Sequence, residues 1–182
     1  MISDEQIIEL VLKKHIDEYQ ELVRRHQDSV FRLAYRILGR REEAEDVVQD
    51  TFVKAYSNLA SCRERNKFWP WIRRIALNIC LRRAPRECLC EAIDDLHDAI
   101  CDRESPIEAE VLKQVDISCL RRAVAELPTC YRTIIVLRYE EELAYKEIAK
   151  LVGESVDVVR IRLYRAKKML AQQLAVMNDE VC

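Results

Sequence analysis

"AYKEIAKLVGESVDVVRIRLYRAKKML", residues 144–170, decides how this chain folds. A short run with Ile148, Ala149 and Val152 on one side ends at Gly153, one of only 2 glycines in the chain. Ser155 follows, and serine is a residue type whose hydroxyl caps helix N-termini. A longer basic run then keeps Val159, Leu163, Ala166 and Leu170 at helical spacing. A short helix, a glycine turn and a capped long helix make the pattern of a helix-turn-helix. Ala149 is small where two helices must cross closely. The opposite side of the second helix carries Asp157, Arg160, Ile161, Tyr164, Arg165 and Lys168. Such a face suits a major groove, where arginines meet phosphates or guanine edges and apolar side chains meet thymine methyls. A solvated basic face has a similar composition, but the order of elements favours DNA.

Working upstream, Pro128 opens a helix expected over Thr129–Tyr139, preceded by another over Cys119–Glu126. Residues 85–118 differ in character. Within them, residues 87–110 hold Glu87, Glu91, Asp94, Asp95, Asp98, Asp102, Glu104, Glu108 and Glu110 against Arg103 alone, and the segment reads as an acidic linker. On either side of it the chain is basic, so a formal net charge of −2 conceals two cationic segments. With 49% hydrophobic residues, 4 prolines and no sustained strand-like alternation, the 182 residues are expected to be all-α. The expected parts are a helical bundle over 1–84, the linker over 85–118 and a helix-turn-helix domain over 119–182.

Further upstream, Glu5–Arg25 has helical periodicity, and Asp28 is placed to start a second helix that Gly39 ends. "EEAEDVVQDTFVKAY" (42–56) puts Ala44, Val47 or Val48, Thr51, Phe52 and Ala55 on a packing side. Asp46, Gln49 and Asp50 then face out. Asp46 and Asp50 lie one turn apart and repel slightly. The face is either merely solvated or a docking surface for a basic partner.

"KFWPWIRRIALNICLRR" (67–83) combines aromatics with basic pairs. A ring for stacking and cations for phosphates are what unpaired bases need. Burial of Trp71 with Ile75 and Ile79 in the core is the commoner arrangement for a tryptophan at helical spacing, and it is the one expected. Arg73, Arg74 and Asn78 are expected to face outward.

Other chemistries find little support. His15, His26 and His97 are scattered, with no HExxH, metal-ligand spacing or nucleophile motif, so no enzyme, metal or cofactor is expected. Met1–Gln6 leads into no signal-peptide pattern and no run suggests a membrane span, so a cytoplasmic protein is expected. The 8 cysteines are accordingly expected as free thiols.

Taken together, "AYRILGRREEAEDVVQDTFVKAY" (34–56), "FWPWIRRIALN" (68–78) and "LPTCYRTIIVLRYEEELAYKEIAKLVGESVDVVRIRLYRAKKML" (127–170) resemble a bacterial RNA polymerase sigma factor of the extracytoplasmic-function (ECF) group. The resemblance implies a transcription initiation factor that binds core polymerase at the beta-prime clamp and the beta flap, and no catalysis by the chain itself. It assigns clamp binding to Asp46, Gln49 and Asp50. Minus-ten recognition and melting fall to Arg63, Lys67, Arg73, Arg74 and Asn78. Minus-thirty-five recognition falls to Arg160, Ile161, Tyr164 and Arg165, with Lys168 beside them. It also implies promoter DNA and an anti-sigma factor as partners. Residues Val11–His15 lack the Gly-Asp usual between the first two helices of the family. A stand-alone helix-turn-helix regulator is the competing reading, but it needs neither the acidic helix nor the tryptophan-rich segment. A cysteine-based redox or metal protein is a third.

Overall fold

The computed structural model describes residues 2–84 and 117–179, with side chains described for 2–84 and 118–176. Among them every regular element is a helix. The chain divides into two compact units, the first ending at Ala84. The acidic linker expected over 85–118 lies outside the described residues except at its last two.

In the first unit, α1 (Asp4–Leu12) is opened by a capping box. Ser3 Oγ accepts from Gln6 N at 3.3 Å and Gln6 Oε1 accepts from Ser3 N at 2.9 Å. The single helix expected over Glu5–Arg25 does not form. The chain breaks at Lys13–His15, where Lys14 takes a left-handed φ of 73°. A 3₁₀ turn over Ile16–Glu18 leads into α2 (Tyr19–Leu38), which runs without interruption through Asp28. The bend lets α1 fold back on α2 and bury Ile7, Ile8 and Val11. Asp4 fastens the return. Its Oδ1 accepts from Arg25 Nη1 at 3.0 Å, and its Oδ2 lies 2.7 Å from His26 Nε2. Helical period carries on through residues 13–15 in the sequence, so period could not reveal a break that tertiary burial favours.

Gly39 ends α2 with φ 78°, its N–H donating to the Tyr35 carbonyl at 2.8 Å. Helix α3 (Arg41–Ser57) and α4 (Phe68–Arg83) pack on α2 and on each other. Between them lie short 3₁₀ turns over Leu59–Ser61 and Arg65–Lys67. Ala84 turns extended, as a residue before proline should.

The core stripe of α4 is Phe68, Ile72, Ala76, Leu77, Ile79 and Cys80. Phe68, 1% exposed, is its buried aromatic, and Trp71 is only half-buried. The expectation that Trp71 and Ile75 anchor the helix is therefore corrected. Trp71 stands about 60° round the helix from Phe68, at the edge of the buried stripe.

In the second unit α5 (Ile117–Glu126) begins two residues before the expected Cys119. Helix α6 (Thr129–Ile135) widens into a π turn over Val136–Glu140. Helix α7 (Tyr145–Val152) and α8 (Val156–Asp179) follow. Helix α8 packs against α5, α6 and α7, burying Val159, Leu163, Ala166 and Leu174.

Candidate nucleic-acid and protein interfaces

The acidic face follows from how α3 is packed. Burial of Ala44, Val47, Thr51, Phe52 and Ala55 turns Asp46, Gln49 and Val53 outward, with Asp50 beside them. Arg83 from the last turn of α4 reaches this face. Its Nη2 donates to Asp50 Oδ2 at 2.7 Å and its Nη1 to Asp46 Oδ2 at 3.2 Å. One cation thus bridges two carboxylates that would otherwise repel. Burial alone would lower the Arg83 guanidinium, but the hydrogen bonds to Asp50 and Asp46 outweigh it and hold it above its ordinary range.

The basic side of the unit is built from the loop before α4 and from α4 itself. Cys62 is buried, with Sγ 3.9 Å from the Glu64 carbonyl oxygen, and burial pushes its thiol up. It pins the loop and leaves Arg63 exposed. Lys67 is exposed and pairs with Glu64, whose hydrogen bond holds the ammonium above its usual range. Arg65 Nη1 donates to Glu9 Oε1 at 3.2 Å, tying the loop to α1.

Trp71, Ile75, Asn78 and Arg82 of α4 face Lys54 of α3 and Asn58 just after it across a surface cavity of about 310 Å³. An indole, an aliphatic wall, two amides and two cations meet there. Such a set can stack a flat ring, read its edge by hydrogen bonds and neutralise a phosphate. Arg74 is exposed on the flank of this stripe beside Asn78. Arg73 is not. It stands five residues before Asn78, about 140° round the helix, and is half-buried. Lys54, Asn58 and Arg82 were not among the expected site residues. Lys54 and Asn58 belong to the helix and turn before the basic segment, and only the packing of α3 on α4 brings them to it.

In the second unit, Gly153 closes α7 with φ 74°, and Ser155 Oγ accepts from Val158 N at 3.2 Å to start α8. Asp157, Arg160, Tyr164 and Lys168 form one exposed stripe, with Arg165 half-buried beside it. Ile161, expected on this stripe, is only 5% exposed. Its apolar side chain gains from burial, worth about 1.5–3 kcal/mol for such a residue, and it does not face outward. The Arg160 guanidinium lies 3.5 Å from Asp157 and 6.0 Å from the centre of the Tyr145 ring, which Arg138 also approaches at 5.1 Å. Arg162 pairs instead with Glu154 at 2.9 Å.

Among the described residues no group of three or more His, Cys, Asp and Glu is arranged to hold a metal. No described helix is long and apolar enough to cross a membrane. Cys62, Cys80 and Cys119 are free thiols as expected, whereas Cys130 is disulfide-bonded, against expectation.

Comparison with known proteins bears on both units. The family model for Sigma-70 region 2 matches residues 22–87, and that for Sigma-70 region 4 matches residues 117–170. The ECF RNA polymerase sigma factor SigW of Bacillus subtilis is 30% identical over 92% of this chain and 98% of its own. The RNA polymerase sigma-H factor of Pseudomonas aeruginosa is 30% identical over 94% of both. Among solved structures, CnrH in complex with the cytosolic domain of CnrY matches at TM-score 0.54 and 24% identity, over 95% of this chain and 97% of that one. The Bartonella quintana sigma factor RpoE, solved with the anti-sigma factor NepR, matches at TM-score 0.53 and 21% identity, over 87% and 98%. These two share the fold.

Proposed function

We propose a division of labour on the premise that this chain belongs to the ECF RNA polymerase sigma factors, transcription initiation factors that direct the polymerase to promoters. The outward face of α3, with Asp46, Gln49 and Asp50, docks on the beta-prime clamp of core polymerase. Its exposed carboxylates suit a basic partner.

The cavity between α3 and α4 holds an unpaired base of the minus-ten element. Trp71 supplies stacking, Asn78 an edge contact, and Arg63, Lys67 and Arg74 the surrounding charge, while Arg73 is turned away from this stripe and takes no part. Lys54, Asn58 and Arg82 join them. This cavity is the observation that carries the reading. A ring, amides and cations converge there. Taking a base out of its stack costs a few kcal/mol, which stacking on the indole and hydrogen bonds to the edge can return.

In the second unit Arg160, Tyr164, Arg165 and Lys168 face the minus-thirty-five element, and that unit docks on the beta flap. The role is binding and strand separation, without catalysis by the chain, and it is carried out in the bacterial cytoplasm. RpoE was solved with the anti-sigma factor NepR, which supports an anti-sigma factor as a partner here. A stand-alone helix-turn-helix regulator is not favoured, because it has no use for the region matched over residues 22–87.

Run-off transcription with core polymerase, this chain and a promoter library tests the reading. Promoter-dependent transcripts that require the chain are expected. Absence of any such transcript, together with no binding to core, would sink it.

A further inference from the structure

Arg83 takes part in two surfaces at once. It is a residue of α4, and its guanidinium rests on the carboxylates of α3. Asp46 and Asp50 keep 67% and 47% of their side-chain surface open, while Arg83 keeps 32%. The acids are thus reachable by a partner, but each already gives its Oδ2 to an internal cation. Two aspartates one turn apart carry two negative charges, and a seated arginine leaves the group with one. The steering field felt by a basic partner is reduced accordingly. Ion pairs this exposed are weak, so an incoming guanidinium or ammonium can take the place of Arg83.

We propose that Arg83 competes with core polymerase for Asp46 and Asp50, so that the free chain masks part of its own docking face. The proposal rests on the reading of that face as the polymerase contact. It makes Arg83 a determinant of core affinity that never needs to touch the polymerase. It also means that core affinity depends on how firmly the end of α4 is held against α3.

The test is equilibrium binding of the labelled full chain to purified bacterial core polymerase at low and high salt. Arg83→Gln is expected to bind roughly two- to fivefold tighter at low salt, the scale of an exposed ion pair, with the gain shrinking as salt rises. Arg83→Lys should fall between, because an ammonium does not fork across two carboxylates. Arg24→Gln, an equal charge change at an exposed position on α2, should stay at the wild-type value. In an Asp46→Asn, Asp50→Asn background the effect of Arg83→Gln should vanish. Unchanged or weaker binding by Arg83→Gln overturns the competition. If the wild type binds, Asp50→Arg does not, and Arg83→Gln equals the wild type, only the competition fails. If the wild type does not bind core at any salt, the polymerase reading fails and takes the competition with it.

Discussion

Arg83 Nη2 donates to Asp50 Oδ2 at 2.7 Å, joining the last turn of α4 to the middle of α3. Residues 33 positions apart in the chain are brought into one ion pair, and the acidic face is no longer a property of α3 alone. The strength of that face depends on what α4 places beside it.

Asp50→Arg should weaken binding to core polymerase more than about tenfold, since it sets a like charge against a basic partner. Stability should move by less than about 1 kcal/mol, the scale of an exposed pair. Fluorescence binding and thermal melts read the two effects separately. Normal core affinity in a folded Asp50→Arg protein would show that the docking face lies elsewhere.

Phe68 and Trp71 are neighbours, with ring centroids 5.7 Å apart, but they should behave differently. Phe68→Ala removes a fully buried ring and should cost about 3–5 kcal/mol in denaturant unfolding. Trp71→Ala should cost less and should instead reduce open-complex formation on duplex promoters. Equal destabilisation by the two would return Trp71 to the core.

Arg160 and Ile161 are adjacent in sequence and opposite in exposure. Arg160→Ala should change preference within the minus-thirty-five element by about 1–3 kcal/mol if it reads a base edge. Ile161→Ala should destabilise the second unit by about 2–5 kcal/mol with base preference intact. Binding to a set of singly altered elements distinguishes them. A shift of preference in Ile161→Ala would contradict its burial.

Lys14 adopts φ 73°, a conformation that costs most side chains about 1 kcal/mol or more. Lys14→Gly should relieve it and raise the unfolding free energy by about 0.5–1 kcal/mol, the extra freedom of glycine in the unfolded chain offsetting part of the gain. A loss of stability would mean that the lysine side chain makes a contact worth more than the strain.

Burial pushes the Cys80 thiol up from 9.0 to about 12. Below pH 9 the thiol is neutral in both folded and unfolded chains, and it takes nothing from stability. Above pH 9 the unfolded chain ionises and the folded chain does not, so stability from this group is lost as pH rises from about 9 to about 12. Iodoacetamide should modify Cys80 only as fast as the first unit opens. Rapid labelling in the native state, counted by mass spectrometry, would rule out the buried thiol.

Helix identity was largely legible because it is written locally. Gly39 and Gly153 stop helices through the left-handed conformation that only glycine takes freely, and Ser155 caps α8 as its position suggests. Periodicity did not reveal the break at Lys13–His15, although the family resemblance sets a junction between the first two helices at Val11–His15. A lysine carries no mark of a turn, and the apolar rhythm of Ile8, Val11, Ile16 and Tyr19 continues through it.

By itself, the sequence determined the all-α class, the helix-turn-helix, the family, and the outward turn of Asp46, Gln49 and Arg160. All of these follow from period, caps and motif order, which act over a few residues. Tertiary structure alone decided that Phe68 and not Trp71 is the anchor of α4 and that Ile161 is covered. It also decided that Lys54 and Asn58 face Asn78, and that Arg83 sits on Asp46 and Asp50. Each of these depends on which arc of a helix meets its neighbours. That arc is chosen by how the whole core packs, and no single helix encodes it.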